Sequence, residues 1–162
     1  MHFLQTDDIY LNCNEDDPWP VIGYVVGNTP HPFRGVYDGN DKNIYGLYVD
    51  TKNEDAGLFG NVGKGGVIRK VHVVDCYVHN DALYAGGIVG DNSSKISYCY
   101  SNCDVLGAQK VGGITGGQNG GTVVNCYFRG YAYANDITRA YAGALRVRTM
   151  ATAPSTTATV TA

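Results

Sequence analysis

The chain has 162 residues, which is the size of one ordinary domain. Glycine occupies 22 positions and tyrosine 13, while glutamate occurs only at Glu15 and Glu54, so strand and turn formers dominate and a mainly helical fold is excluded. Twelve basic and fifteen acidic side chains give a formal charge of −3, which is too balanced for a nucleic-acid partner. No apolar run approaches the ~20 residues that cross a bilayer, so we expect no membrane insertion.

One short glycine-bounded block recurs three times along the chain. It reads AGLFG at 56–60, GGIVG at 86–90 and GGITG at 112–116. A polar turn follows each block, and then comes a second stretch with apolar residues three positions apart: Ile68/Val71, Ile96/Cys99 and Val123/Cys126. Strands this short cannot close a core alone, whereas stacked copies can, so the repeats predict a solenoid.

The predicted fold is all-β, a parallel β-helix of about four to five coils in which each strand pairs with its copy one coil along. A sandwich of antiparallel hairpins is the alternative, but it predicts irregular spacing and Asn-Gly turns. We expect a bend inside each second stretch, after Ile68, Ile96 and Val123, because a three-residue offset breaks strict alternation. We expect the block glycines to provide positive φ angles and close backbone approach at corners.

Alternation within the blocks predicts two columns of stacked side chains. The column that points inward consists of Leu58, Ile88 and Ile114. The column that points outward, toward solvent, consists of Phe59, Val89 and Thr115. The whole interpretation requires equivalent side chains to lie above one another in successive coils.

The blocks and their following stretches resemble GLUG-motif repeats. The region before them is similar to the segment that precedes such repeats: Asp8–Leu11 (DIYL) resembles "DIDL", Trp19–Gly23 (WPVIG) resembles "W-x-PIG", and Phe33–Asn40 (FRGVYDGN) resembles "F-x-G-x-x-DGN". The resemblance covers about residues 3–143. It implies a surface-exposed β-helical region of a larger bacterial protein, of the kind found in adhesins and immunoglobulin A-specific metallopeptidases.

The predicted domain spans 1–143, with 1–50 as coils that lead into the repeats and 51–143 as the repeats themselves. The tail, 144–162, is rich in threonine and alanine, which is typical of a linker. In the shifted reading frame, however, the tail can encode GIAGTNNGNSTINNCYSN, which is similar to 87–102. Our hypothesis is therefore a one-base frameshift after Gly143, with a genuine linker as the alternative. Either way, we expect the last coil to lack a regular cap, so that the chain either associates end to end or folds its tail over the exposed edge.

The N-terminus has neither the basic region nor the apolar core of a signal peptide. We therefore expect Met1 to be an assigned start within a longer coding sequence, or the chain to be a decayed fragment.

The five cysteines are Cys13, Cys76, Cys99, Cys103 and Cys126. They form no C-x-x-C pair and have no histidine at ligand spacing, so we expect no metal and no cofactor. Cys99 and Cys126 share a repeat position and are predicted to stack as buried thiols. Cys76 and Cys103 form a second predicted column, for which we favour buried thiols over a disulfide because the dihedral as well as the spacing must fit.

No catalytic residues are predicted. The chain contains neither H-E-x-x-H nor G-x-S-x-G, so we expect it not to be an enzyme. A β-helical enzyme acting on acidic polysaccharides is the alternative, with Asp75 and Asp104 meeting in neighbouring coils and Lys70 or Arg129 nearby; solvated turn residues are the simpler interpretation. The acidic residues between 7 and 17 are predicted to be solvated surface, not a calcium site.

An outward aromatic row is the candidate ligand site. It contains Tyr100 and Tyr127 at one repeat position, His72 at the equivalent earlier position, and Tyr98 two residues before Tyr100 on the same side. A flat aromatic row suits a sugar ring or a protein surface. The alternative is a cross-strand ladder that only stabilises the sheet.

These features predict a non-catalytic, extracellular cell-surface module that acts as a stalk or an adhesive scaffold, with a host or surface glycan or protein as its partner. The alternatives are a carbohydrate-active β-helix and an inert spacer. Fold alone does not separate them.

The frameshift makes a prediction about the gene. Sequencing the coding DNA across codons 143 and 144 is expected to show a one-base slip, after which the other frame continues the repeat. The codon of Met150 ends in G, which the shifted frame needs for its glycine. A coding frame that stays open without a slip contradicts this hypothesis.

Overall fold

The chain forms a parallel β-helix. The structure, a computed structural model, describes residues 1–52 and 55–135 and the backbone of 141–143. All regular elements in these residues are strands, and no helix there is long and apolar enough to cross a bilayer. The strands stack into about three coils, with partial rungs at both ends, so the predicted fold class is confirmed and the coil number is slightly lower than the four to five predicted.

The described strands, in chain order, are short. They are β1 (His2–Leu4), β2 (Ile9–Tyr10), β3 (Tyr24–Val26), β4 (Thr29–His31), β5 (Val36–Tyr45), β6 (Tyr48–Thr51), β7 (Asp55–Ala56), β8 (Phe59–Val62), β9 (Val67–Val74), β10 (Tyr77–Asn80), β11 (Tyr84–Gly86), β12 (Val89–Asn92), β13 (Lys95–Ser97), β14 (Tyr100–Ser101), β15 (Asp104–Gly107), β16 (Lys110–Gly112), β17 (Thr115–Gln118), β18 (Thr122–Val124), β19 (Tyr127–Phe128), β20 (Tyr131–Ala134) and β21 (Tyr141–Gly143).

Four parallel sheets form the sides of the solenoid. The first sheet has the order β1-β5-β9-β13-β18, extended by β2 beside β5 and by β14 between β9 and β19. The second is β6-β10-β15-β20, the third β7-β11-β16-β21 and the fourth β8-β12-β17. Only β3 and β4 pair antiparallel among the described strands. Strand and corner therefore repeat at the same places in each coil.

The predicted inward column is confirmed. Leu58, Ile88 and Ile114 are all at most 3% exposed, and they directly precede residues that pair in register. The Ile88 N–H donates to the Ile114 carbonyl at 3.1 Å. These side chains therefore lie in a single file inside the coils, which is the arrangement that the repeat requires.

The predicted outward column is wrong. Phe59, Val89 and Thr115 are buried as completely as the residues before them, with exposures of 0%, 0% and 4%. The reason is a corner: β11 ends at Gly86 and β12 begins at Val89, so the chain turns between these strands. Alternation restarts after the turn, and consecutive residues on either side of a corner both point inward.

The block glycines are required for close packing and not for backbone strain. None of them has a positive φ, which corrects half of the prediction. The other half holds, because a methyl group on Gly113 would overlap the Phe128 ring, and one on Gly87 would meet the Gly113 carbonyl and the Ser101 hydroxyl. The sheet with β14 and β19 can therefore approach this corner only where no side chain intervenes.

The left-handed positions within the second stretches of the repeats fall on residues other than glycine. Lys70, Tyr98 and Asn125 have φ of 53°, 56° and 52°, and each lies two residues after the first apolar residue of its stretch. The register Ile68–Ile96–Val123 places them above one another. Each coil therefore bends where the three-residue offset predicted, at some conformational cost to any residue other than glycine.

The N-terminal segment covers the first coil. The Trp19 indole N–H donates to the Leu58 carbonyl at 3.1 Å, and Ile22 and Phe33 bridge to β8 as a further partial rung. The Phe33 ring lies 5.1 Å from that of Phe59. A cavity of about 180 Å³ remains between this cap and the coil interior, lined by apolar side chains. The region resembling "W-x-PIG" thus closes one end of the solenoid.

At the other end, the register continues to Gly143. Strand β21 pairs with β16 so that Gly143 lies opposite Gly112. The tail 144–162, and with it the frameshift and the uncapped edge, lies outside the described residues.

The left-handed bend can be tested at Asn125. Replacing Asn125 by valine is expected to lower the free energy of unfolding by about 1–2 kcal/mol, because a β-branched residue is strained at positive φ. Asn125→Gly is expected to be neutral or stabilising. Urea unfolding followed by circular dichroism measures both.

Thr122→Val, in the same rung but outside the left-handed positions, is the control and is expected to be neutral or stabilising. Equal tolerance of valine at 122 and 125 would contradict a strained bend.

Candidate binding site

The predicted aromatic row exists on the outer face of the first sheet. Tyr100 pairs in register with His72 on one side and with Tyr127 on the other. The Tyr100 and Tyr127 ring centroids lie 5.5 Å apart with an interplanar angle of 11°, and the His72 ring meets Tyr100 edge-on at 6.1 Å. We refer to His72, Tyr100 and Tyr127 as the tyrosine row.

Tyr98 does not join this row, although the sequence placed it on the same side. It occupies the left-handed bend with φ of 56°, which breaks the alternation that links it to Tyr100. Its side chain is 57% exposed and makes no ring contact with the described aromatic residues. It therefore stands apart from the stacked rings as a single exposed tyrosine.

A second aromatic face lies on the next sheet, and sequence reasoning missed it. Tyr48 and Tyr77 stack with centroids 5.0 Å apart and an interplanar angle of 20°. Their column continues in register through Asp104 to Tyr131. The sequence does contain a signal for this column. Each of its four residues comes directly after one repeat position, which is occupied in turn by Leu47, Cys76, Cys103 and Gly130.

A groove runs along the corner between the two aromatic faces. It has a volume of about 380 Å³ and is lined by Tyr48, Tyr77, Asp75, Asp104 and Asn102, among others. Neither lysine nor arginine lines it. We call it the corner groove. Asp75 and Asp104 thus share one site, as the enzymatic alternative required, but Lys70 and Arg129 do not belong to it.

The corner groove is electronegative. Partial burial together with the carboxylates of Glu15 and Asp50 raises the pKa of Tyr48. Partial burial, then Asp50, Glu15 and Asp104, raises the pKa of Tyr77. No hydrogen bond or ion pair joins the Asp75 or Asp104 carboxylate to another described side chain, so both carboxylates are available.

The histidine beside this face is held by carboxylates. His79 Nδ1 lies 2.9 Å from Asp50 Oδ1, and His79 Nε2 lies 3.4 Å from Asp81 Oδ1. In the first sheet, Lys70 Nζ lies 3.4 Å from Asp41 Oδ2, so this lysine forms its ion pair outside the corner groove. Lys70 and His79 therefore both lie beside carboxylates outside the corner groove.

The cysteines behave in two ways. Cys76 and Cys103 form a disulfide across adjacent coils, with Cα atoms 4.5 Å apart, so the predicted pair of buried thiols is wrong there. The in-register rungs bring the two Cα atoms within disulfide range. Cys99 and Cys126 remain free and buried, as predicted. The hydrogen bond with the neighbouring Cys126 thiol and burial raise the pKa of the Cys99 thiol well above its usual value.

The described residues offer no obvious metal site. Within them, no group of three or more His, Cys, Asp or Glu side chains is placed to hold an ion. In the acidic stretch, the Asn14 side-chain oxygen accepts the N–H groups of Asp16 and Asp17 at 2.9 and 3.2 Å, which is a local turn.

No family model matches the chain. It is 29% identical over 128 residues to halomucin from Haloquadratum walsbyi, a match that covers 76% of this chain. It is also 29% identical over 99 residues, or 59% of its length, to a provisionally assigned Gly-rich membrane protein from Evansella cellulosilytica. Among solved structures, it is similar to a provisionally assigned immunoglobulin A1 protease from Bacteroides ovatus, with a TM-score of 0.51 and 22% identity over 83% of this chain.

These similarities are partial. The chain spans 1% of halomucin, 11% of the Gly-rich protein and 52% of the solved chain. At 22% identity, the structural match supports the fold alone. The two similar sequences are thus of surface or membrane type. The similar solved structure is named as an immunoglobulin A1 protease, and immunoglobulin A-specific peptidases are a group in which GLUG-like repeats were expected.

The disulfide makes a testable contribution to stability. Its 27-residue separation corresponds to about 3.5 kcal/mol of lost chain entropy in the unfolded state. A reductant is therefore expected to lower the free energy of unfolding of the natural chain by that amount, and to leave Cys103→Ser unaffected. Urea unfolding with and without a phosphine reductant measures the difference.

Cys126→Ser is the matched control, because it removes a buried thiol that is not in the disulfide. It should keep the full response to the reductant. A natural chain that is insensitive to reduction would contradict the Cys76–Cys103 bond.

Proposed function

We propose that the chain is a non-catalytic module of an extracellular surface protein, acting as a stalk and as a binding scaffold for a surface glycan or protein. The observation that carries the proposal is the pair of aromatic faces on adjacent outer sheets, the tyrosine row and the Tyr48–Tyr77 stack, with the corner groove between them.

Exposed aromatic surface supports binding. Tyr127 and Tyr131 are 37% and 41% exposed although they lie in regular strands. Rings held by the strands lose little conformational entropy on binding, and they offer a flat apolar area with a polar hydroxyl group. In a sheet that binds no partner, exposed tyrosines would stabilise the protein only by stacking on one another.

The disulfide supports the location. Disulfides persist in oxidising compartments and are rare in the cytosol. The names of the similar proteins, a halomucin and a membrane protein, agree with a position at the cell surface. The stiffness of a stacked solenoid suits a stalk, since each coil is hydrogen-bonded to its neighbours along the whole length.

One observation favours the carbohydrate-active alternative, namely that Asp75 and Asp104 line the same groove. A pair of carboxylates is the usual apparatus of a glycoside hydrolase. Against an enzyme for acidic polysaccharides, the corner groove is lined by no basic side chain that would neutralise a uronate. Incubation with neutral and acidic polysaccharides, followed by assay of new reducing ends, separates an enzyme from a scaffold.

Tyr100→Ser combined with Tyr127→Ser tests the binding function. The double variant is expected to lose at least tenfold in binding to glycans or extracellular proteins presented on arrays, while unfolding at a slightly lower temperature because one stacked pair, about 0.5–1.5 kcal/mol, is removed. Array binding and thermal unfolding are measured on the same samples.

Tyr24→Ser is the control, since Tyr24 is an exposed tyrosine that lies on the β3–β4 hairpin, away from both faces. It should bind normally. A double variant that only loses stability, with no ligand found for the natural chain, would support the inert spacer and overturn the binding function.

A further inference from the structure

The tyrosine column of the second sheet contains a gap. Tyr48, Tyr77, Asp104 and Tyr131 occupy one position in four successive rungs, so a short carboxylate stands where the other coils carry a ring. Because rungs are about 4.8 Å apart, Tyr77 and Tyr131 are separated by about 9.6 Å. Tyr77 stacks on Tyr48, which leaves its other face directed into the gap.

The gap is negatively charged at its base and opens into the corner groove. Asp104 is exposed and forms no hydrogen bond or ion pair with another described side chain. Asp75, which is likewise unpaired, lines the groove into which the gap opens. On the adjacent position of the same strand surface, half-buried Leu106 lies between His79 and Tyr133 and offers an apolar patch.

We propose that this gap binds the guanidinium group of an arginine side chain on a protein partner. The inference rests on the proposed binding function and specifies the chemistry of its partner. The guanidinium plane inserts between Tyr77 and Tyr131, about 5 Å from each ring and thus within the ~6 Å range of a cation–π contact. The Asp104 carboxylate accepts hydrogen bonds from the fork of N–H groups, and the methylene stem lies against Leu106.

Charge and shape together favour arginine over other ligands. An acidic glycan is repelled by Asp75, Asp104 and nearby Asp50 and Glu15, with no basic side chain in the groove to offset them. A lysine ammonium is compact and not planar, so it gains the ion pair but not stacking on the rings. A neutral sugar stacks on tyrosine but makes no use of the negative charge.

Isothermal titration calorimetry with acetylated tetra-arginine amide, tetra-lysine amide and an N-acetylglucosamine tetramer tests the proposal. The natural chain is expected to bind the arginine peptide at least tenfold more tightly than the lysine peptide. Asp104→Asn, which keeps the shape of the gap and removes its charge, is expected to weaken arginine binding at least fivefold.

Asp104→Tyr is the second variant, because it fills the gap with the residue found in the other rungs and so completes the column. It should abolish arginine binding while the melting temperature stays the same or rises. Asp7→Asn removes a carboxylate from the exposed N-terminal segment and should change neither property.

Equal binding of the two peptides, no effect of Asp104→Asn, binding of the sugar alone, or no binding of any probe each overturns the proposal. Its failure is separable from that of the proposed function. If array binding persists and depends on Tyr100 and Tyr127, the scaffold function stands without the arginine site. If the arginine peptide binds and no array ligand is found, the arginine site stands without the scaffold function.

Discussion

The in-register stacking of parallel rungs is the constraint on which the rest of the molecule depends. Each residue lies directly above its equivalent in the next coil, so each side chain must pack well against the equivalent side chains above and below it. Leu58, Ile88 and Ile114 satisfy this inside as an aliphatic file, and Tyr100 and Tyr127 satisfy it outside as a stacked pair. The disulfide between Cys76 and Cys103 follows from the same register, because equivalent Cα atoms are neighbours across a rung.

Periodicity in the sequence predicts the columns but not the corners. The repeat spacing identified the fold, the inward aliphatic file, the bend before Val71 and the alignment of His72 with Tyr100. It failed at Phe59, because alternation holds only within a strand and the sequence does not show where one strand ends and the next begins. It failed for the Cys76–Cys103 bond, because side-chain dihedrals at a corner are set by local backbone angles that spacing does not determine.

The second aromatic face was missed for a related reason. Its tyrosines are not in the glycine block or the I-x-x-C stretch, so a search for those motifs passes over them. They become visible only when the register is carried forward from the cysteine column, residue by residue. The column then reads Tyr48, Tyr77, Asp104, Tyr131. The aspartate is informative because residues at equivalent repeat positions are direct neighbours in the stacked coils.

Stability and recognition compete for the same outer positions in a solenoid of this kind. A ring that stacks on its neighbours stabilises the sheet, but the faces that meet in the stack, as between Tyr77 and Tyr48, are closed to a ligand. A rung that lacks the ring loses that stacking and leaves a space of defined height between the rings of the neighbouring rungs. A carboxylate is costly to bury without a partner but is readily solvated on an outer face, so an exposed Asp104 interrupts the column at little cost to folding. A binding site is therefore expected where the aromatic column is broken, and the unbroken parts position it.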